Sequence, residues 1–187
     1  MTGAAAELEP LKRGDMRAFG DLLDRLYPAT VRLAALLDDG NARLIARAAW
    51  LDLVATEDLD GAPSLRAWLL CRVLERATAM DGRHPEPEPP PARFFGDDEL
   101  WAGGWIDPVA PWPEAADAGK ARALVEATLR ELPQLIAATV VLRDVEGFDP
   151  EEVEAVIGLD EDEQRELLHE GRGAVRDALA GSHEEAA

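Results

Sequence analysis

The chain has 187 residues, room for one or two small domains with apolar cores. Its formal net charge of −19, with Lys12 and Lys120 as its only lysines, argues against a general binder of nucleic acid or of anionic membranes. One cysteine, Cys71, excludes an internal disulfide. No apolar run reaches bilayer length or has the form of a signal segment, so the expectation is a soluble, cytoplasmic protein with no membrane partner.

In chain order, residues 1 to about 10 are small and polar and are expected to fray. A helix is predicted from Asp15, with Met16, Phe19, Leu22, Leu23 and Leu26 on one face and Arg17, Asp21, Asp24 and Arg25 outside. Pro28 is expected at a kink or a new first turn, because the apolar rhythm resumes at Val31, Leu33, Leu36 and Leu37. Asp38-Asp39-Gly40-Asn41 marks a turn. A second helix follows, largely apolar through Leu44, Ile45, Ala48, Ala49, Leu51, Leu53 and Val54. After a turn at residues 60–64, Ser64 is the expected N-cap of a third helix carrying Leu65, Trp68, Leu69, Val73 and Leu74. Cys71 lies among these residues and reads as a buried structural thiol.

From Asp81 to Ala118 the composition changes. Eight of the 13 prolines fall here, including Pro89-Pro90-Pro91, together with Trp101, Trp105 and Trp112. Proline favours extended spacers, but exposed indole wastes apolar area, so the second half of this linker is expected to fold against the helices; the alternative is a disordered spacer. Residues 1–80 carry 12 acids and 10 bases, residues 81–118 carry 9 and 2, and residues 119–187 carry 17 and 7. The acidity therefore belongs to the linker and the last third of the chain.

That last third contains three amphipathic helices with tight joints. Leu135, Ile136, Thr139, Val140 and Leu142 recur at helical spacing until Glu146-Gly147. Asp149 is then an N-cap candidate, Pro150 suits the first helical position, Glu152 completes a capping box, and Gly158 suits a left-handed C-terminal position. Asp160 and Glu163 open the third helix, whose apolar stripe is Leu167, Leu168, Val175 and Leu179. A short helix, a glycine turn and a longer helix outline a helix-turn-helix, although a small bundle that binds no nucleic acid has the same outline. The charge is unusual for a DNA reader. Asp160, Glu161, Asp162, Glu163, Glu166 and Glu170 stand against Arg165, Arg172 and Arg176, where phosphate contact calls for bases.

These stretches together resemble an extracytoplasmic-function (ECF) sigma factor. GDMRAFGDLLDRLYPATVRLAALL (Gly14–Leu37) is similar to the opening helices of that family's first domain, and DGAPSLRAWLLCRVLERA (Asp60–Ala77) to the loop and helix that meet promoter DNA. LRELPQLIAATVVLRDVEGFDPEEVEAVIGLDEDEQRELLHEGRGAVR (Leu129–Arg176) is similar to the second domain, which reads the upstream promoter element. The linker WAGGWIDPVAPWPE is similar to that of some actinobacterial members. The resemblance covers roughly three quarters of the chain in the family's order. It implies an all-α fold with a region 2-like domain at 1–80, a linker at 81–118 and a region 4-like helix-turn-helix domain at 119–187. It also implies core RNA polymerase and promoter DNA as partners, with no cofactor and no enzymatic activity.

Three surfaces depart from the family pattern. LIARAAW (Leu44–Trp50) stands where an acidic polymerase-binding patch of the type DLVQEVF is usual, making Leu44, Arg47 and Trp50 candidate partner-binding residues. RATAMDGRHPEPEP replaces a basic run that holds melted DNA, and Glu170-Gly171 stand where bases follow Leu168-His169. Gln164, Arg165, Arg172 and Arg176 are then the remaining candidate DNA contacts. Glu163, Glu166 and Glu170 are candidate contacts to a protein such as an anti-sigma factor, with the acidic helix standing in for DNA phosphates. Charge asymmetry further suggests that the acidic second domain meets Arg43, Arg47, Arg72 and Arg76 of the first. An enzyme is disfavoured: His84, His169 and His183 have no ligand spacing with Cys71, Gly103-Gly104 is an isolated pair, and Glu151-Glu152 are neighbours on a solvated face.

Overall fold

The computed structural model describes residues 3–57, 59, 61–81 and 118–184. Among these the regular structure is helical throughout, with no strand. The expectations for the Pro- and Trp-rich linker fall outside the described residues.

The first helix, α1 (Gly3–Lys12), forms where fraying was expected. The reason is Leu8, which is 4% exposed and joins the apolar core, with Leu11 packed beside it. A three-residue spacing puts both on one helix face, and their burial outweighs the weak propensity of the surrounding small residues. Asp15 then caps α2 (Met16–Leu37) by accepting from the Arg17 and Ala18 amides, each at 3.0 Å. Pro28 lies inside α2 and does not end it; its position on the solvent side leaves the Asp24 carbonyl, which has lost its usual donor, close to water. Leu22, Leu26 and Leu33 turn inward, whereas Met16, at the start of the helix, is 74% exposed.

Asn41 donates to both carboxylate oxygens of Asp38, at 3.1 Å from its backbone amide and 2.7 Å from its side chain, closing the turn before α3 (Ala42–Ala55). Only one side of α3 enters the core: Ile45, Ala46, Ala49, Trp50 and Leu53 are buried. Ser64 caps α4 (Leu65–Asp81) through the Ala67 amide at 3.1 Å, as its position predicts. Helices α2, α3 and α4 pack against one another, and α1 lies on α2 and α4. The core between them holds Leu8, Leu22, Leu26, Trp50, Leu53, Leu59, Leu65, Trp68 and Leu69. Cys71 is only half-buried, not enclosed as expected, because the inward face of α4 is taken by Leu69, Leu70 and Val73.

Helix α5 (Ala118–Glu131) precedes α6 (Gln134–Val140), which continues directly into a π turn at Val141–Val145. The amide of Glu146 reaches back to the Val141 carbonyl at 2.8 Å, and that of Phe148 to Leu142 at 2.9 Å. This widened turn shifts the angular position of everything after it. Val145 consequently points outward at 51% exposure while Glu146 is buried, the reverse of what their chemistry suggests. The capping box then forms in full around α7 (Pro150–Ile157): Asp149 accepts from Glu152 N at 2.8 Å, and Glu152 accepts from Asp149 N at 3.3 Å. Gly158 ends α7 at φ 74°, a left-handed conformation that glycine adopts without strain. The last helix, α8, runs Glu161–Glu184.

The described residues fall into two compact units. One holds the residues up to 81 together with Val141–Glu161; the other holds 118–140 with 162–184. Within the first, α7 packs on α4. Within the second, α8 approaches α6 at Gly171, where a Cβ would stand 2.4 Å from Val140 Cγ2 and 3.0 Å from Ile136 Cγ2.

Candidate functional site

Three features carry chemistry. The first is a buried acid held by two bases. Glu146 is 7% exposed, and its carboxylate lies in the first unit between α2 and α4. Arg32 donates from Nε and Nη2 to Oε1 at 2.8 and 2.7 Å. Arg66 donates to Oε2 and also to the Glu146 carbonyl at 2.7 Å, and its guanidinium covers the Phe148 ring at 4.6 Å. Three functions meet in Arg66: it neutralises a buried charge, satisfies a backbone acceptor and stacks on an aromatic face. Both arginines are partly exposed, so the ensemble sits at the wall of an open cleft of about 550 Å³ that Glu7, Arg25 and Glu152 also line. Sequence reasoning missed this site. One acid among 38 carries no mark of burial; the available signal is that Arg32 and Arg66 each interrupt an apolar helical run.

The second feature is α8. Of the four residues expected to touch DNA, Gln164 is fully buried and so unavailable to a duplex. Arg165 is exposed but pairs with Asp162 at 2.8 Å. Arg176 has a side chain 19% exposed, pinned to Asp177 at 2.6 Å. Arg172 is exposed. Glu161, Asp162, Glu163 and Glu166 are all exposed on the first two turns, while Glu170 is half-buried. The solvent side of this helix start is thus negative. Partly burying His169 beside Arg172 and Arg165 holds its pKa below the ordinary histidine value, burial being the larger cause.

The third feature is the outer side of α3. Leu44 is 58% exposed and Arg47 is exposed, as partner contact requires. Trp50 is not available to a partner: it lies 5% exposed in the core, donating from Nε1 to Thr30 Oγ1 at 3.1 Å and meeting Phe19 edge-on at 6.0 Å. Leu51 and Val54, at 57% and 68% exposure, belong to this outer side, although the sequence placed them only among the helix's apolar positions and not among the partner-binding candidates. Of the four arginines expected to meet the acidic last third, Arg76 binds Asp52 and Arg72 binds Glu75, both within the first unit. Arg32 and Arg66, which were not among those four, bind Glu146 inside the same unit.

Cys71 lies 3.7 Å from Glu75 Oε1, and burial together with that carboxylate raises its pKa, which disfavours the thiolate a nucleophile needs. Among the described residues no three of His, Cys, Asp and Glu converge as a metal site, and no helix is long and apolar enough to cross a membrane. No family model matches the chain.

Proposed function

We propose that this chain is a transcription regulator built like an ECF sigma factor, altered at the surfaces where such proteins meet polymerase and DNA. The observation that carries this reading is the capped helix α7 with its left-handed Gly158, leading within three residues into the long α8. It coincides with LRDVEGFDPEEVEAVIGL, the most specific part of the family resemblance. A short capped helix, a glycine turn and a longer helix are the parts of a helix-turn-helix. The helical packing of residues 16–81 is what a region 2-like domain requires. The regulator acts in the cytoplasm, without catalysis or cofactor, with Arg165 and Arg172 as its accessible DNA contacts.

A second reading is favoured by a separate observation. Burial of Gln164 and exposure of four acids on the first two turns of α8 suit a protein partner, such as an anti-sigma factor, better than phosphate. Each lost phosphate contact removes a share of the salt-dependent affinity, and added acids oppose binding directly. In this version the regulator works through protein contacts alone. A gel shift on promoter fragments at low salt, paired with a pull-down on core polymerase, separates the two. Retention of both ligands supports the sigma-type reading. Loss of both, with another protein co-purifying, transfers the assignment to the second. Changing Glu163 and Glu166 to Lys should then release that protein; unchanged capture removes α8 as its docking site.

A further inference from the structure

We infer that the outer face of α3 is a docking site for an acidic amphipathic helix of a partner protein. At about 100° per residue, Leu44, Leu51 and Ala55 fall within about 40° of one another on a helix. They form the centre of the exposed face, with Arg47, Val54 and Arg43 along one edge. Leu44, Leu51 and Val54 are each more than half exposed, as is Met16, which shares with Val54 a groove of about 270 Å³ floored by Leu8, Leu11, Phe19 and Leu53. Single exposed aliphatics are ordinary on a protein surface; several along one helix face, continuous with an apolar groove, have the layout of a helix-binding surface.

Charge decides the kind of helix. Arg43 and Arg47 are exposed and form no ion pair with a described residue. The one acid on α3, Asp52, lies at the opposite edge and is neutralised by two hydrogen bonds from Arg76, at 2.8 and 2.5 Å. Asp15, on the groove's rim, is occupied in capping α2, and neither Asp21 of α2 nor Glu57, two residues past the end of α3, lines the groove. The face is therefore apolar at its centre and cationic at its edge, and it complements a leucine-striped helix with Glu or Asp along one flank. The chain's overall negative charge opposes such a ligand only weakly at physiological ionic strength. Residues 1–80 hold 12 acids against 10 bases, and charges beyond about 8 Å are screened.

The inference stands on this surface whichever regulator reading holds. The test uses the full chain and a synthetic, fluorescently labelled peptide with a leucine stripe flanked by glutamates, followed by anisotropy at physiological salt. Binding is expected, weakening as salt rises. Arg47→Glu should weaken it roughly tenfold or more and Leu51→Asp abolish it, while Arg130→Glu, the same charge change on α5, leaves it intact. No binding to the full chain overturns the inference, as does equal binding by wild type and Arg47→Glu. Self-association of the chain without peptide, removed by Leu51→Asp, also overturns it and gives the face to a second copy. Both variants alter exposed positions, and Arg47→Glu decides the matter if Leu51→Asp does not fold. The assay contains neither polymerase nor DNA, so its failure leaves the regulator reading to its own gel shift.

Discussion

Glu146 shows how one residue can organise its surroundings. A carboxylate this enclosed is costly unless its lone pairs are filled, and here Arg32 and Arg66 fill them from two helices. Their contributions are unequal. Arg32→Ala removes an ion pair whose base is 42% exposed, so a loss of about 1 kcal/mol is expected. Arg66→Ala also strips the Glu146 carbonyl and uncovers Phe148, and should cost about 3 kcal/mol; Arg66→Lys restores the charge but not the fork. Urea denaturation with unchanged m-values measures both, and an equal effect of the two alanine variants would contradict the geometry. His169 gives a pH signature. Its folded pKa lies below the unfolded value of about 6.5, so the unfolded chain binds more protons as pH falls. Stability is therefore expected to be intact above about pH 6.5 and to decline as pH drops toward the folded value. His169→Gln should flatten that segment of the melting-temperature profile.

At the level of elements, two glycines inside helices test whether space or propensity governs. Gly171 lets α8 approach α6, and a methyl there collides with Val140, so Gly171→Ala should destabilise by about 1–3 kcal/mol despite alanine's better helix propensity. Nothing lies within 4 Å of a Cβ built at Gly20 of α2, so Gly20→Ala should stabilise by about 0.5–1 kcal/mol. Thermal melts of the pair should move in opposite directions. The glycine at position 171 thus has a packing cause independent of any DNA contact. The π turn at Val141–Val145 also overrides residue type: it turns an acid inward and a valine outward.

For the whole molecule, a net charge of −19 implies self-repulsion that salt relieves. The melting temperature is expected to rise between about 10 and 150 mM salt, because the exposed ion pairs that salt weakens contribute little each. A fall over that range would mean that ion pairs dominate. Local chemistry made much of this molecule legible in the sequence. Helices recur at apolar spacing, Asp15, Ser64 and Asp149 cap because their short oxygens reach nearby amides, and Gly158 takes the conformation other residues avoid. These interactions span a few residues, so their determinants lie side by side in the chain. The outcomes that only tertiary structure decided depend on residues far apart. Leu8 is ordered by a core it meets through folding, Trp50 and Gln164 turn inward from positions assigned to partners, and Leu51 and Val54 turn outward although they are as apolar as their buried neighbours. Glu146 finds Arg32 and Arg66 across 114 and 80 residues. A pattern of residue types sets which helix faces are apolar; which of those faces is covered, and by what, follows only from how the helices pack.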